Sequence, residues 1–433
     1  MSQLRRPFQF RKGAASGPSE SVFKNFLQQS KYTIQFQLNP TDVTYANTLR
    51  RVILTEVETV AFRSNILEDG TTTDIKITKN STPMSNEMLA HRIGLLAVHV
   101  SNPLLWEPES HTFSLSLTND SADPKDIVAA DIRVLRNRGP TEEPLPVPST
   151  EFFRLDDHSK ETALLAVLKG RIGTQEPESL SFEARATVGI GRENAQFIPV
   201  SQCSYKYTQD NDPERLKEYF EKWLSTYKKM SSSELEANPT KKGELEREFK
   251  TMEIARCYKV DERNEPNSFD FIVESVGVLD PIYIVARALQ VLQEKCMFYS
   301  SMDAGDLPET VLVRPADALM KGFDFVFKNE DHTLGCLLQT WMEKNSIDSN
   351  EITFVGYKVP HPLKDEMLLR VAVEDGKELT ARTAVMKAAR GCAILFKKWS
   401  TDWEAIGGSL AAAPSQSVRG AMQNRGARGK AAF

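Results

Sequence analysis

Residues 44–57 of the chain read TYANTLRRVILTEV, and the rest of the sequence is organised around this stretch. Its apolar side chains recur every three or four residues, the period of an amphipathic α-helix. Residues 39–42 (NPTD) form a turn signal that places a side-chain oxygen where it can cap the first free amides. The predicted buried stripe is Tyr45, Leu49, Val52, Ile53 and Val57, and the predicted polar stripe is Asn47, Arg51, Thr55 and Glu58, with Arg50 on its flank.

This helix has more apolar surface than one core contact needs. Val52, Ile53 and Leu54 directly follow the adjacent Arg50 and Arg51. One side of the helix can pack on its own sheet while another packs on a partner. Taken alone, the stretch favours the simpler interpretation, a core helix with solvated arginines.

Composition restricts the class of protein. The 433 residues are 40% hydrophobic and 26% charged, which indicates a globular protein of about two to four domains. The net charge of -5 gives no overall basic field for nucleic acid. The five cysteines have neither zinc-site nor disulfide-framework spacing, and a scattered odd count fits a reducing compartment. We expect neither a membrane span, which needs about 20 apolar residues, nor a secretory signal.

The pattern of predicted secondary structure changes after about residue 61. A helix is predicted over 85–96, with Met88, Leu89, Ile93 and Leu96 on one side. A Pro/Glu-rich loop is predicted over 138–149. Short strands are predicted at 74–77, 111–118, 127–134, 164–170 and 181–188. Residues 62–186 are therefore predicted to form a small α+β module inserted into another domain.

Two parts of the chain repeat the same order of elements: strand, helix, strands and a long helix. The second part has strands at 323–327, 351–358 and 367–373 and helices at 333–344 and 381–399. In the first part the strand at 32–38 precedes the opening helix, and the long helix covers 281–298. Asp42, Thr44 and Leu49 have the same spacing as Asp331, Thr333 and Leu338. We expect the two copies to pack about a pseudo-two-fold axis.

Residues 189–194 (GIGREN) resemble the start of a glycine-rich phosphate loop. A third glycine at the required spacing is missing, and Pro199 prevents a long helix from following. A tight turn where two backbones approach is the favoured interpretation. Residues 210–250 are highly charged with a helical pattern, and both ends of the chain, 1–21 and 408–433, are basic and predicted to be disordered.

Several motifs occur in order over residues 30–400. They are 47–51 (NTLRR), 91–96 (HRIGLL), 189–193 (GIGRE) with Pro199, 271–277 (FIVESVG), 331–335 (DHTLG), 356–363 (GYKVPHPL) and the closing helix. By these motifs the first part is similar to the third-largest subunit of eukaryotic RNA polymerase II and to its archaeal D and bacterial alpha relatives. The second part is similar to the small L-type subunit that pairs with it. A single chain with both parts resembles the fused subunit of polymerases of large DNA viruses of eukaryotes.

The resemblance implies a non-catalytic assembly platform on which the two largest RNA polymerase subunits dock. It implies small N- and K-like subunits as further partners, contact with DNA only through the complex, and intramolecular pairing in place of the usual heterodimer. No catalytic residue and no cofactor is expected. The expected location is intracellular, at the site of transcription in the host nucleus or cytoplasm, with packaging in the virion left open.

The resemblance also assigns interface residues. Asn47, Arg50 and Arg51 correspond to the helix that faces the large subunits and the partner unit, and His91 and Arg92 to the junction of the inserted module. The second unit's dimerisation element and loop correspond to His332, Thr333, Leu334, Gly335, Tyr357, His361 and Pro362.

The sequence departs from the family pattern in three ways. Cys336 stands where an asparagine is usual, and Ala97 where a proline is usual. Some relatives bind zinc or an iron–sulfur cluster through cysteines of the inserted module. All five cysteines here lie outside 62–186, so no metal is expected.

The matches also give the expected domain ranges. These are a tail (1–21), a first dimerisation unit (22–61 and 187–300), the module (62–186), a linker (301–318), a second dimerisation unit (319–407) and a tail (408–433).

Two other classes of function were weighed. An enzyme could use His332 after Asp331, or His91 beside Arg92, as an acid–base pair. Neither histidine has a nucleophile, metal partner or second carboxylate at a suggestive spacing, which favours structural histidines. A free-standing nucleic-acid-binding protein could use the basic tails, but the acidic net charge weighs against it.

Overall fold

The computed structural model describes residues 21–67, 72–138, 142–156, 158–230, 239–302, 307–316, 321–347 and 352–407. The strands are β1 (Phe23–Gln28), β2 (Thr33–Leu38), β3 (Glu58–Ala61), β4 (Ile75–Asn80), β5 (His111–Asn119), β6 (Lys125–Val128), β7 (Arg133–Arg136), β8 (Leu145–Val147), β9 (Leu164–Leu168), β10 (Glu178–Ala184), β11 (Thr187–Ile190), β12 (Val200–Tyr207), β13 (Phe269–Ser275), β14 (Val311–Pro315), β15 (Gly322–Lys328), β16 (Phe354–Lys358) and β17 (Glu366–Ala372). The helices are α1 (Val43–Thr55), α2 (Asn86–Gly94), α3 (Pro213–Trp223), α4 (Pro239–Glu248), α5 (Pro281–Tyr299), α6 (His332–Met342) and α7 (Glu378–Ala405).

The first sheet has the antiparallel order β1-β2-β13-β12, and α1 and α5 share its core. Large side chains at alternate positions of β2 and β13 are buried in this core. Phe36 and Phe271 stack across the two strands with ring centroids 5.1 Å apart. The predicted cap of α1 is confirmed, since the Asp42 carboxylate accepts from the Thr44 amide. The predicted apolar stripe is buried as well.

The predicted polar stripe of α1 is wrong at one position. The helix ends at Thr55, so Glu58 belongs to β3 rather than to an exposed helical face. Its side chain is buried against α5, where it forms an ion pair with Arg287.

The residues between β3 and β11 have their own hydrophobic core. Strand β3 pairs antiparallel with β11, so the chain enters and leaves this region at one place. The strands of the region form a sheet of order β4-β10-β5-β7-β8 and a ribbon of β6 and β9. On α2, Leu89 and Ile93 are buried as predicted, but Met88 is 62% exposed and faces outward.

Two strand predictions and one loop prediction in this region need correction. The strand predicted over 127–134 is broken by a 3₁₀ turn at Ala129–Asp131, where the Asp131 carboxylate accepts from the Val128 amide. The strand predicted over 181–188 divides into β10 and β11. The loop predicted over 138–149 contains β8, which pairs with β7.

The second half forms a sheet of order β14-β15-β17-β16, covered by α6 and α7. Strand β14 lies inside the predicted linker 301–318 and pairs with β15, so part of that segment is structured. The rest of the predicted linker includes 303–306 and 317–318, which lie outside the described residues. The predicted tails also lie outside them, except for Ser21.

The charged region between β12 and β13 contains α3 and α4, in agreement with its helical pattern. Each helix continues into a wider π-helical turn, Leu224–Lys228 and Phe249–Glu253. A small separate core of Trp223, Leu224, Leu245 and Phe249 holds the two helices together.

The long helices α5 and α7 bring the two halves into one hydrophobic core. Helix α7 extends beyond the predicted end at 399 because Trp399 and Trp403, four residues apart, are both buried. The Trp403 indole donates to the Ile282 carbonyl at 3.1 Å, and its ring lies 4.9 Å from that of Phe23. In the described part of the chain, no helix is long and apolar enough to cross a membrane.

Candidate subunit interface

Helices α1 and α6 exchange ion pairs through their N-terminal caps. Asp42 caps α1 with one carboxylate oxygen and accepts from Lys344, just beyond α6, with the other. Asp331 caps α6 in the same way, and its second oxygen accepts from Arg51 at 2.9 Å. Each carboxylate therefore joins the start of its own helix to the end of the other. The two helices therefore run antiparallel.

A second polar contact lies between the same helices. The Thr44 hydroxyl is 3.0 Å from that of Thr340 and 3.8 Å from the Cys336 thiol. Cys336, which departs from the family pattern, therefore lies at this contact. We call the contact between α1 and α6, together with the Glu56, Lys295 and Glu330 side chains beside it, the seam.

A buried charge cluster completes the seam. Lys295 donates to Glu56 at 3.1 Å and to Glu330 at 3.2 Å, and the Tyr299 hydroxyl donates to Glu330 at 3.1 Å. The Lys295 and Glu330 side chains are 14% and 8% exposed, so water screens their attraction little. Burial raises the pKa of Glu330, an effect that Lys295 opposes. Burial favours neutral Lys295, but Glu330 and Glu56 outweigh it and raise the pKa of this amine to about 12.

Arg192 extends this charge cluster toward the protein surface beside the seam. It donates to the Asn329 carbonyl at 2.9 Å and lies 3.5 Å from Glu56 and 3.6 Å from Asp331. Burial would raise the pKa of Asp331, but the bonds from Thr333 and the charges of Arg192 and Arg51 hold that pKa below its usual value.

The turn at 189–194 is where two backbones meet, as its glycines indicated. A Cβ on Gly191 would lie 2.3 Å from the Leu54 carbonyl oxygen, and one on Gly189 would lie 2.6 Å from the Phe197 ring. The Arg192 amide donates to the Thr55 carbonyl at 2.9 Å. This turn packs on the end of α1, so the tight-turn interpretation is confirmed.

Sequence reasoning missed the ion pair of Arg287 and Glu58. The guanidinium forms two bonds to the carboxylate, at 3.0 and 3.1 Å, and both side chains are less than 9% exposed. Burial favours neutral arginine, but Glu58 reverses this and raises the pKa of Arg287. The pair fixes β3 to α5. An arginine in the apolar stripe of α5 was the available signal.

Several of the proposed interface residues point into the chain. Arg51 binds Asp331 across the seam, so it is engaged within the protein. Leu334 is buried, and the Thr333 amide is held by the cap. A Cβ on Gly335 would lie 2.4 Å from the Tyr357 ring, so only glycine allows that ring to pack on α6.

Other proposed residues lie at the outer surface. Arg50 donates twice to the Asn47 side chain, at 3.0 and 2.9 Å. Together they line a cavity of about 450 Å³ beside Cys203–Tyr207, on the edge strand β12. Arg50 therefore lies on a surface that is open outward, in contrast to its neighbour Arg51.

The histidines among the proposed interface residues are also exposed. Arg92 donates to the Leu164 carbonyl at 3.0 Å, so α2 and β9 are joined beside the exposed His91. The His332 ring lies 5.8 Å from the Tyr357 ring, edge to face. His361 and Pro362 form an exposed loop, in which the Leu363 amide donates to the His361 ring.

Comparison with known proteins identifies the family. A family model described as the RNA polymerase Rpb3/Rpb11 dimerisation domain matches residues 35–296, and a second model of the same description matches residues 322–400. The first match covers more than half of the chain, and the chain belongs to this family. Its mixed helices and strands thus form an α+β fold with two such domains.

Individual relatives share about a quarter of the aligned residues with this chain. The DNA-directed RNA polymerase II subunit RPB3 of Schizosaccharomyces pombe is 27% identical over 61% of this chain and 82% of that protein. The subunit RPAC1 of RNA polymerases I and III from Bos taurus is 26% identical over 65% of this chain and 86% of that protein. The archaeal subunit Rpo3 of Methanosphaera stadtmanae is 24% identical over 60% of this chain and 90% of that protein.

Proposed function

We propose that this chain is the non-catalytic assembly platform of a DNA-dependent RNA polymerase, onto which the two largest subunits dock. The observation that carries the proposal is the seam: two dimerisation domains in one chain, joined by reciprocal cap ion pairs and by a shared core under α5 and α7. The two halves act as a pseudo-heterodimer, and their intramolecular pairing replaces the association of two separate chains.

The proposed domains follow the repeated order of elements in the two halves and the separate hydrophobic core of residues between β3 and β11. Residues 22–61 and 187–300 form the first dimerisation unit, and 319–407 form the second. Residues 62–186 are the inserted module, which its own core and the paired β3 and β11 support. The union of both units in one chain supports assigning the platform to a polymerase of a large DNA virus.

The proposed docking surface combines the outward-facing candidates. The Arg50 guanidinium is oriented by Asn47 and retains donors for a carboxylate or carbonyl of a large subunit. The aromatic side chains of Tyr205 and Tyr207 beside it supply the apolar area that protein interfaces use. The exposed His91 and the loop containing His361 are further contact points, for a large subunit or for the small N- and K-like subunits.

The test is affinity purification of the tagged chain from its native source, with the bound chains identified by mass. The structure predicts different outcomes for substitution of the two adjacent arginines, Arg50 and Arg51. Arg50→Ala should preserve the fold and reduce recovery of the large subunits, because it changes the outer surface. Arg51→Ala should first weaken the seam, because it removes the partner of Asp331. Arg133→Ala, an exposed arginine on β7, serves as the matched control.

Recovery of both large subunits at wild-type yield with Arg50→Ala would contradict the proposed docking surface. Failure to recover any large polymerase subunit with the unmodified chain would contradict the platform function itself. Thermal unfolding of each variant shows whether a loss of binding reflects a loss of folding.

A further inference from the structure

A cavity of about 390 Å³ lies between the β1–β2 turn and the inserted module, away from the seam. Lys31 and Tyr32 line it from the turn, and His99 and Arg154 line it from the module side. The other lining residues are Thr150, Glu151, Leu155, Asp156 and Lys160. This cavity has no part in the docking surface proposed above.

Two cations share one aromatic ring in this cavity. The Lys31 ammonium lies 5.4 Å and the Arg154 guanidinium 5.7 Å from the centroid of the Tyr32 ring. A cation–π contact favours each of them individually. The two positive charges also repel each other, and an anion between them would relieve this repulsion.

His99 adds no compensating negative charge and no positive one. Its Nδ1 lies 2.9 Å from the Val278 carbonyl, which can only accept, so Nδ1 carries the proton. The same Arg154 nitrogen lies 2.8 Å from Nε2 and 2.9 Å from Nδ1, and with Nδ1 protonated only Nε2 can accept from it. Burial and the neighbouring charges of Arg154 and Lys31 lower the pKa of His99, which keeps the ring neutral at pH 7. The ring orients Arg154 toward the cavity.

One of the two carboxylates in the cavity wall, Asp156, has other partners. Asp156 accepts from the amides of His158 and Ser159, and these bonds lower its pKa. Glu151 acts on the titration of His111 in the module. Among the residues that the structure describes, no carboxylate forms an ion pair with Lys31, Arg154 or Lys160. Half-buried arginines elsewhere, such as Arg63 and Arg192, do have such partners.

We propose that this cavity binds a phosphate-bearing ligand, a nucleotide or the phosphate of a nucleic-acid strand. The three cations, Lys31, Arg154 and Lys160, come from two separate chain segments around the cavity, an arrangement that a multiply charged tetrahedral group satisfies better than one carboxylate does. The arginine supplies a fork of donors and the lysines supply point charges. The Thr150 hydroxyl, at the cavity wall, is a further donor.

The experiment is isothermal titration of the full chain with pyrophosphate at constant low ionic strength. Saturable binding is expected, and Lys31→Gln and Arg154→Gln should each weaken it by about tenfold, the effect of one charge-assisted hydrogen bond. Lys217→Gln, an exposed lysine on α3, should bind as the wild type does. Should Arg154→Gln fail to fold, Lys31→Gln alone decides the outcome.

Two further titrations distinguish the sources of phosphate. Tighter binding of ATP than of pyrophosphate, with the same sensitivity to Lys31→Gln, indicates a nucleotide, and tighter binding of a short single-stranded RNA indicates a nucleic-acid backbone. Absence of saturable pyrophosphate binding, or binding that neither variant weakens, would overturn the proposal. A polyglutamate peptide that binds as tightly and competes for the site would also overturn it, because the cavity would then fit an acidic protein segment.

Discussion

Replacement of Lys295 by methionine tests the charge cluster of the seam most directly. The substitution preserves the length of the side chain but removes the ammonium that Glu330 and Glu56 share. Glu330 is then left buried with the Tyr299 hydroxyl as its remaining described donor. Breaking a buried pair on one side costs about 3–5 kcal/mol when the remaining charge has no other partner.

Protonation of Glu330 limits this loss and makes it depend on pH. Neutralising a glutamate of unfolded-state pKa near 4.3 costs about 1.4 kcal/mol for each pH unit above that pKa. This protonation cost therefore limits the loss of unfolding free energy in Lys295→Met to about 4 kcal/mol at pH 7 and about 1 kcal/mol at pH 5. The sign follows from the raised pKa of folded Glu330: its protonated form is stable at low pH, and stability is lost as pH rises.

The assay is urea unfolding at pH 5 and pH 7, followed by tryptophan fluorescence, since Trp399 and Trp403 lie in the core that both halves share. Lys295→Met with Glu330→Gln should recover stability to within about 1–2 kcal/mol of the wild type, because no buried charge is left unpaired. The control Lys398→Met, at an exposed position of α7, should change stability by less than about 0.5 kcal/mol. An equal loss at both pH values, or a double variant as unstable as the single one, would refute the reasoning.

Three further outcomes are expected. Asp331→Asn keeps a side chain that can cap α6 but removes the ion pair across the seam; we expect a loss of about 1 kcal/mol at pH 7 that disappears in acid as pH falls through the lowered pKa of Asp331, measured by urea unfolding. Gly335→Ala should cost about 1–3 kcal/mol because the new methyl group meets the Tyr357 ring, whereas Gly243→Ala, with open space around it, should not destabilise the protein. Removal of residues 408–433 should leave any DNA binding of the isolated chain unchanged; salt-dependent binding that this trimming abolishes would favour the nucleic-acid-binding alternative instead.

The sequence was sufficient where a local signal determined the structure. The cap at Asp42 and the apolar period that follows predicted α1, and the equal spacing after Asp331 predicted its counterpart α6. Local signals failed where tertiary contacts decided. Glu58 fits the helical period, but the chain turns into β3 after Thr55, and no local feature of the sequence shows that Arg287 is its partner.

The candidate site was also predictable from the sequence only in part. The resemblance selected Arg50 and Arg51 together, yet the structure directs one outward and the other into the seam, because adjacent helical residues point about 100° apart. The partners across the seam were not predictable from local patterns, since Lys344 and Asp42 are brought together only by antiparallel packing of α1 on α6. The repeated Asp-x-Thr pattern indicated related halves, but it did not indicate that each cap also binds the other helix.

The charge cluster also predicts that the two halves pair with each other rather than with copies of themselves. By the spacing that aligns Asp42 with Asp331, the counterpart of Glu330 in the first half is Thr41. A pairing of two first halves would place threonine where Lys295 now meets Glu330, and its ammonium would lose a carboxylate partner. A pairing of two second halves would bury Glu330 without Lys295. The first pairing leaves Lys295 with only Glu56 of its two carboxylates, and the second leaves Glu330 without its ammonium, so both weaken the buried cluster and favour the unlike pair that the single chain already holds together.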